Sequence, residues 1–154
     1  MKQTILIGAD HAGYELKNII EKYLIEKGYD VEDFGADTLD PLDDFPKILG
    51  PLAYKISQNP TLKGIVLGGS GQGEAIICNR YKGVRADIYY GGNLDIVKLS
   101  RQHNDANVLS LGARFITPEE AKAAIDIWLT TEFSHDEKYS RRNKELDMLN
   151  YCYE

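Results

Sequence analysis

Residues 64–78 read GIVLGGSGQGEAIIC, an apolar run followed by a glycine-rich segment. The run from Gly64 to Leu67 predicts a strand buried on both faces, and the residues after the glycines predict a helix. Four glycines lie between Gly68 and Gly73, so the backbone can approach a ligand closely. The start of the helix offers N–H groups to an anion. The stretch therefore predicts a strand, an anion-binding loop and a helix.

Outward from this loop, short apolar runs alternate with longer amphipathic stretches. The predicted strands are Thr4 to Ala9, Tyr29 to Phe34, Gly64 to Leu67, Val84 to Tyr89 and Val108 to Leu111. The predicted helices are one through Leu16 and Leu24 with a C-cap at Gly28, Phe45 to Gln58, a short one after the loop, about Leu94 to Gln102, one from the capping box Thr117 to Glu120, and Asp136 to Asn150. This alternation predicts an α/β fold with a doubly wound sheet of five parallel strands, in a single domain over residues 1–154.

Composition and charge limit the class of protein and of partner. The 154 residues are 43% hydrophobic and 27% charged with a formal net charge of −6, which argues against nucleic acid or an anionic membrane as a partner. Seven acidic residues and no basic one lie between Asp30 and Asp44, so the rest of the chain carries +1. We interpret this segment as a solvated acidic edge. The chain has only two cysteines, Cys78 and Cys152, and no long apolar run. This composition predicts a cytoplasmic protein.

The glycine-rich loop offers acid–base chemistry. Glu74 follows Gly73, so N–H donors lie beside a carboxylate, an arrangement suited to an oxyanion that forms next to a general base. A tight turn with Glu74 as a favourable first-turn carboxylate is the alternative. The stretch is a poor dinucleotide fingerprint, because Glu74 stands where a third glycine is needed. Burial raises the pKa of such a carboxyl and a helix N-terminus lowers it, so the sequence leaves the direction open.

Other polar residues follow strands or lie on helices. The carboxyl ends of parallel strands share one edge of a sheet, so we expect Asp10 and His11, after the first strand, to lie near the loop. Each candidate also has a structural interpretation, as a helix cap, a partner of the helix dipole or a solvated charge. The remaining candidates are His103, Asn104, Arg114, Lys138 and Arg142.

Four ordered motifs together resemble those of type B ribose-5-phosphate isomerases. They are GADHAGYELK (8–17), GGSGQGEAI (68–76), SRQHNDANVL (100–109) and a basic final helix. The resemblance implies a Rossmann-like three-layer sandwich with an extended C-terminal helix. It implies an isomerase of the pentose phosphate pathway that interconverts ribose 5-phosphate and ribulose 5-phosphate without a metal or cofactor. It also implies a homodimer or homotetramer with active sites between subunits.

The resemblance further implies a role for each candidate residue. Glu74 matches the base that moves a proton between C2 and C1, and Ser70 matches the hydroxyl that helps proton transfer between O1 and O2. His103, supported by Asp10, matches the group that opens the sugar ring. The residues that match contacts to the reacting oxygens are Gly69, Gly71, Gln72, Gly73 and Asn104. Those that match phosphate contacts are His11, Arg114, Lys138 and Arg142.

Three positions depart from the pattern of relatives. Gly68 stands where many relatives carry a cysteine base, and Cys78 does not replace that thiol because it lies four residues beyond Glu74. The chain therefore resembles a glutamate-base branch. Lys138 stands where an arginine is common, which replaces a bidentate fork by a point charge. Phe45 stands where a tyrosine is frequent, so a hydroxyl contact to the sugar is lost.

Three alternative functions stay open at this point. A galactose- or allose-6-phosphate isomerase would use a similar pocket. A noncatalytic nucleotide-binding module would bind pyrophosphate at the loop and hold a ribose with Asp87. An inactive partner subunit of a paired isomerase would keep the fold without the activity. A panel of aldose phosphates distinguishes the first from the expected pentose isomerase.

Overall fold

The computed structural model describes residues 2–149 and contains a sheet of five parallel strands between helices. The strands are β1 (Thr4–Ala9), β2 (Asp30–Asp33), β3 (Lys63–Gly68), β4 (Ala86–Tyr89) and β5 (Val108–Gly112). The helices are α1 (Tyr14–Glu26), α2 (Phe45–Gln58), α3 (Gln72–Cys78), α4 (Asp95–Asn104), α5 (Pro118–Thr130) and α6 (Glu137–Met148). The predicted α/β fold with an extended C-terminal helix is confirmed. The predicted helix end at Asn150, and Cys152, lie outside the described residues.

The strand order creates a crevice beside the glycine-rich loop. The order across the sheet is β2-β1-β3-β5-β4, so the chain adds β2 on one side of β1 and β3 on the other. In sheets of this kind, ligands bind at the carboxyl ends of the strands where the direction of growth reverses. The loops after β1 and β3 flank that point here. A Cβ on Gly13 would lie 2.5 Å from the Leu67 carbonyl oxygen. The glycine therefore lets the start of α1 pack directly against the end of β3.

Two apolar cores make the molecule a three-layer sandwich. Helices α1, α4 and α5 cover one face of the sheet, where Trp128 and Ile125 pack against Ile5, Ile65 and other buried strand residues. Helices α2 and α3 cover the opposite face, where Leu52 packs with Val66 and Val108. The alternate residues of buried strands thus face two different helical layers, as the continuous apolar runs predict. Among the described residues, no helix has both the length and the apolar character to cross a membrane.

Most predicted boundaries are confirmed, and one strand start is wrong. Helix α2 has the predicted bounds, and the capping box is present, with Thr117 Oγ1 accepting from the Glu120 N–H and Glu120 Oε2 accepting from the Thr117 N–H. The fourth strand begins at Ala86 instead of Val84. Val84 still belongs to a turn, because its N–H donates to the Tyr81 carbonyl oxygen at 3.1 Å. The Arg85 N–H donates to the Asn107 side chain and not to a strand.

Helices α4 and α6 build a second polar surface away from the glycine-rich loop. Helix α4 starts beyond the carboxyl end of β4 and ends before the amino end of β5, so its last residues lie at the amino edge of the sheet. Helix α6 packs there. Asn143, its only buried residue, donates from Nδ2 to the His103 carbonyl oxygen at 3.1 Å. Arg85 Nη1 donates to both carboxylate oxygens of Asp147, at 3.1 Å to Oδ1 and 3.0 Å to Oδ2.

Candidate active site

The Glu74 carboxyl group fills the space that the missing side chain of Gly68 leaves. A Cβ built on Gly68 would lie 2.0 Å from Glu74 Cδ and 2.1 Å from Oε1, which no pair of side chains can tolerate. Gly68 ends β3, and Glu74 lies in the first turn of α3, so the carboxyl folds back over the end of the strand. A side chain at position 68 and a carboxylate in this place therefore exclude each other.

Burial dominates the electrostatics of Glu74. The residue is 4% exposed, and desolvation raises the pKa of its carboxyl above the usual 4.5, against the opposing hydrogen bond from its own backbone N–H. The negative charge of Asp10 raises the pKa further. A base needs its ionised form, so activity that depends on Glu74 is lost as the pH falls through this raised pKa. The sequence leaves the direction of this pKa shift open, and in the structure desolvation outweighs the backbone hydrogen bond.

Cys78 does not add a reactive thiol beside the Glu74 carboxyl. Burial, followed by the nearby charge of Glu74, raises the pKa of its thiol to about 12. Because the thiolate is the reactive form, the group stays inert at neutral pH. Its place in the apolar core between α3 and the sheet explains the cysteine as a small buried residue.

The loop that precedes α3 is held in a conformation that needs glycine. Gly71 has φ 78°, and a Cβ there would come within 3.0 Å of Ser110 Oγ. The Ser110 hydroxyl donates to the Gly71 carbonyl oxygen at 2.6 Å and fixes the turn. Ser70 is half-buried, and its Oγ accepts from the Gln72 N–H at 3.4 Å. The Phe45 ring packs over Gly73, where a Cβ would meet Cζ at 2.8 Å.

Asp10 and His11 lie at the same edge, as predicted. Asp10 is buried, and its Oδ1 accepts from the N–H groups of Ala12 at 2.9 Å and Gly13 at 3.2 Å, so it caps the turn that leads into α1. His11 is half-buried, and its Nδ1 lies 2.7 Å from Asp43 Oδ1. This hydrogen bond, and then the charges of Asp10 and Asp43, raise the pKa of His11 above 6.5 against desolvation and the opposing charge of Arg114.

Asp43 departs from the interpretation of residues 30–44 as a solvated edge. Its side chain is 11% exposed and faces His11, whereas Asp40 and Asp44 in the same segment are exposed. One oxygen or nitrogen atom from each of Asp10, His11 and Asp43 lies within 4.8 Å of the others, which is a possible donor set for a cation. The short contact between His11 and Asp43 is a hydrogen bond that already satisfies Nδ1.

Arg114 adds one cation to this edge. Its N–H donates to the Gly69 carbonyl oxygen at 3.0 Å, and a Cβ on Gly69 would lie 3.4 Å from Arg114 Nη1. The guanidinium therefore lies over the start of the loop, close enough to His11 to affect its pKa. The carboxyl edge of the sheet brings together Asp10, His11, Gly69, Ser70, Gly71, Gln72, Gly73, Glu74 and Arg114.

The other candidate residues form a second group at the amino edge. His103, Asn104 and Arg142 line an open cavity of about 490 Å³ together with Tyr139 and Asn143. The rings of His103 and Tyr139 stack, with centroids 4.0 Å apart and planes at 15°. Lys138 Nζ lies 4.6 Å from the Tyr139 ring centroid. Within one chain, His103 and Asp10 thus lie at opposite edges of the sheet and are not brought together.

Comparison with known proteins connects this arrangement to a family. A family model described as Ribose/Galactose Isomerase matches residues 5–146. The chain belongs to the ribose/galactose isomerase family. The match spans both groups of candidate residues, from Asp10 to Arg142.

Two curated members of the ribose/galactose isomerase family illustrate the similarity in sequence. The chain is 38% identical over 145 residues to the ribose-5-phosphate isomerase B of Mycobacterium tuberculosis (strain CDC 1551 / Oshkosh), covering 94% of this chain and 86% of that protein. It is 39% identical over 134 residues to the D-erythrulose-4-phosphate isomerase of Pectobacterium atrosepticum, covering 84% of each chain.

A solved structure of the ribose/galactose isomerase family shows the similarity in fold. The ribose-5-phosphate isomerase B of Mycoplasma genitalium with bound ribulose-5-phosphate superposes with a TM-score of 0.92 and 33% identity, covering 99% of both chains. The predicted resemblance to type B ribose-5-phosphate isomerases is therefore confirmed.

Membership in the ribose/galactose isomerase family, together with the geometry, argues against the nucleotide-binding alternative. Asp87 is the second residue of β4 and shares a cavity with Ser100 and Asn104 at the amino edge of the sheet. A ribose held there would be far from a pyrophosphate at the glycine-rich loop.

Two residues that contact the candidates were missed by the sequence reasoning. Asp43 was grouped with the acidic segment, and nothing in its spacing indicates that it bonds to His11, 32 positions earlier. Tyr139 lies between Lys138 and Arg142, and the sequence analysis assigns it no role. Its spacing of four from Asn143 places both on one face of α6, and that signal was available in the sequence.

Proposed function

We propose that the chain is a ribose-5-phosphate isomerase that interconverts ribose 5-phosphate and ribulose 5-phosphate, with Glu74 as the base. The observation that carries this proposal is the buried Glu74 carboxylate, held beside the glycine-rich loop in the space left by Gly68. The names of the relatives and the ribulose-5-phosphate bound by the Mycoplasma genitalium protein support the substrate class. The reaction belongs to the pentose phosphate pathway.

The opposite placement of the two residue groups supports an active site formed by two copies of the chain. One group supplies Glu74 and Arg114 at the carboxyl edge, and the other supplies His103 and Arg142 at the amino edge. Neither group alone holds both a base and a ring-opening histidine. In a homodimer with a two-fold axis, the carboxyl-edge group of each copy meets the amino-edge group of the other. The dimer therefore has two complete sites. A homotetramer would be a pair of such dimers.

Ring opening is the first step that we assign. In cyclic ribose 5-phosphate, the C1–O4 bond breaks, O4 gains a proton, and the O1 hydroxyl loses one to give the open-chain aldehyde. The protonated His103 imidazole donates to O4. The Asp10 carboxylate, which comes from the same copy as Glu74, accepts the proton from O1; its two backbone contacts among the described residues both use Oδ1. Both groups are oriented donors or acceptors of the type that general acid–base catalysis needs.

Proton transfer between carbons follows in the open chain. Glu74 removes the proton from C2, and the electrons form a cis-enediolate. N–H groups at the start of α3, from Gly71 to Gly73, and the Asn104 amide stabilise its oxygens. Ser70 assists the transfer of the hydroxyl proton between O2 and O1. Glu74 then returns its proton to C1 and leaves the ketose, so no atom is gained or lost.

The phosphate is held by cations from both groups. His11 and Arg114 at the carboxyl edge supply two donors, and Lys138 and Arg142 from α6 of the second copy supply two more. The raised pKa of His11 favours its cationic form near neutral pH. The net charge of −6 is thus compatible with an anionic substrate, because the acidic surplus lies in residues 30–44.

The Glu74→Gln variant tests this function. With ribose 5-phosphate we expect kcat to fall by about 10²- to 10⁴-fold, because the amide keeps the shape and removes the base. Glu119→Gln is the matched control, since Glu119 is an exposed first-turn carboxylate on α5 with no candidate role. Turnover of Glu74→Gln near that of the wild type would remove Glu74 as the base.

A substrate panel separates the sugars. Purified wild-type protein is assayed with tetrose, pentose and hexose phosphates, and we expect the highest kcat/KM with ribose 5-phosphate. The similarity to a D-erythrulose-4-phosphate isomerase makes the tetrose phosphates an informative arm. Turnover of a hexose 6-phosphate alone would replace the pentose assignment, and a wild type without turnover on any sugar would favour an inactive subunit.

A further inference from the structure

Tyr139 holds the imidazole ring of His103 by direct stacking. The ring centroids are 4.0 Å apart and the planes differ by 15°, so the two rings lie face against face. Both side chains are half-buried at the same cavity, where Asn104 and Arg142 also lie. Offset stacking of aromatic rings restricts the rotation of each ring about the bond that carries it. The stack thereby fixes the plane of an imidazole that lines the cavity.

The backbone beneath His103 is fixed by the same helix. Asn143 is 7% exposed and donates from Nδ2 to the His103 carbonyl oxygen at 3.1 Å. Tyr139 and Asn143 are four residues apart on α6, so they lie on one face of the helix. Arg85 Nε donates to the Asn104 carbonyl oxygen at 2.8 Å on the other side. With the backbone held by Asn143 and Arg85, the orientation of the imidazole depends on Tyr139.

We propose that Tyr139 is a positioning residue for His103 in the opening of the cyclic sugar phosphate. This inference rests on the proposed function. Ring opening needs an imidazole nitrogen within hydrogen-bond distance of the ring oxygen O4, in line with the C1–O4 bond that breaks. The stack fixes the imidazole plane before the substrate arrives. The tyrosine does not touch the reacting atoms, and its hydroxyl is not needed.

A residue that positions the ring-opening group should matter for a cyclic sugar and not for an open-chain sugar. Ribose 5-phosphate closes to a furanose through O4, so it must be opened before isomerisation. Ribulose 5-phosphate has its ketone at C2 and its phosphate on O5, so it cannot close a five-membered ring and enters the site as an open chain. Loss of the stack should therefore slow the turnover of ribose 5-phosphate and leave enediolate formation from ribulose 5-phosphate, measured as exchange of its C1 hydrogen with solvent, nearly unchanged.

The experiment compares Tyr139→Leu, Tyr139→Phe and the wild type in two assays. One is the turnover of ribose 5-phosphate, and the other is the exchange of the C1 hydrogen of ribulose 5-phosphate with D2O, which passes through the enediolate but through no cyclic sugar. We expect Tyr139→Leu to lose about 10- to 100-fold in kcat/KM with ribose 5-phosphate, a size typical of a misplaced catalytic group, and less than about 3-fold in the rate of C1 exchange. Tyr139→Phe keeps the stack and should behave as the wild type. Arg141→Ala is the matched control on the same helix, because Arg141 is exposed and its Nε lies 3.9 Å from Oε1 of the equally exposed Glu145.

A spectroscopic measurement makes the result independent of turnover. The chain has three histidines, so the imidazole Hε1 signals in a proton NMR spectrum are few enough to assign. The ring current of Tyr139 should shift the His103 signal upfield, and Tyr139→Leu should remove that shift while Tyr139→Phe keeps it. An unshifted His103 signal in the wild type means that the stack is absent in solution and overturns the inference.

The kinetic outcomes separate the inference from the proposed function. Equal losses in ribose 5-phosphate turnover and in C1 exchange for Tyr139→Leu, no loss at all, or a loss in Tyr139→Phe as large as that in Tyr139→Leu would overturn the positioning role. A wild type that turns over neither sugar would instead overturn the proposed function. In that case the NMR shift still reports whether Tyr139 orients His103.

Discussion

At the residue scale, the Glu74 carboxyl can lie against the end of β3 because Gly68 has no side chain. This carboxyl group occupies the volume that a Cβ on Gly68 would fill, 2.0 Å from Glu74 Cδ. The sequence predicts that Glu74 lies beside the loop, because a strand, glycines and a helix follow one another. It does not predict the contact with Gly68, because the two residues are six positions apart and only the fold of the loop brings them together.

Gly68→Ala tests this packing at the residue scale. The added methyl group must displace the Glu74 carboxyl, so we expect kcat with ribose 5-phosphate to fall by about 10²-fold or more, since a shift of about 1 Å at a catalytic group can cost that much. KM should change less, because the phosphate contacts lie elsewhere. Steady-state kinetics and circular dichroism measure both effects. Wild-type kcat in a folded Gly68→Ala protein would contradict the packing argument.

A second residue-scale prediction concerns Asp43 and pH. Asp43 raises the pKa of His11, so the imidazolium persists to higher pH than in a free histidine and is lost as the pH rises through the raised pKa. In Asp43→Asn the charge is removed and the pKa falls. Relative to the wild type, we expect KM for ribose 5-phosphate to rise by about 3- to 10-fold in the pH range between the lower pKa of the variant and the raised pKa of the wild type, and to change less at more acidic pH, where both proteins hold more imidazolium.

The control for this prediction lies next to it in the chain. Asp44 is exposed and pairs with Lys47 at 2.7 Å, so Asp44→Asn removes the same charge without touching His11. A comparison at each pH cancels the titration of the substrate phosphate itself. The same KM change in Asp44→Asn and Asp43→Asn would show that general charge, and not the contact with His11, is responsible.

At the scale of elements, α6 is held to the body of the molecule by a few polar contacts. Its single buried residue is Asn143, and Arg85 joins Asp147 on α6 to the Asn104 and Asp105 carbonyl oxygens at the end of α4. The sequence predicts the helix and its cations. It does not predict the orientation of the helix, because a polar helix has no apolar stripe from which the buried face can be identified.

Arg85→Met tests the attachment of α6. The change keeps the bulk of the side chain and leaves the Asp147 carboxylate and two carbonyl oxygens without their donor. We expect the free energy of unfolding to fall by about 1–3 kcal/mol and the amides of α6 to exchange faster with deuterium. Arg141→Met, which removes an exposed pair at 3.9 Å, should stay within about 0.5 kcal/mol of the wild type. Equal protection of α6 in Arg85→Met and the wild type would contradict the role of Arg85.

At the scale of the whole molecule, the candidate residues divide between the two edges of the sheet. The alternation of strands and helices predicts the three layers. The position of His103 also follows from it, because a helix between two parallel strands ends at the edge where the next strand begins. A site shared between copies is implied only by the resemblance to the family, because local sequence patterns do not encode the surface between copies.

Mixing two inactive variants tests the shared site. Glu74→Gln and His103→Asn each inactivate every site of their own homodimers. Random exchange of subunits makes half of the dimers mixed, and each mixed dimer has one intact site, so the mixture should recover about a quarter of the wild-type activity. Activity with ribose 5-phosphate is measured after unfolding and refolding the two variants together. No recovery, with mixed dimers verified by mass spectrometry, would place both residues in one site of one chain.

The space shared by Gly68 and Glu74 also constrains how such a protein can change over generations. Because a side chain at position 68 and a carboxylate from position 74 compete for the same volume, the residue at one position limits what the other can be. A side chain that arises at position 68 expels the Glu74 carboxyl from its place beside the loop. Any change at position 68 is therefore also a change at position 74, and the two positions cannot evolve independently of each other.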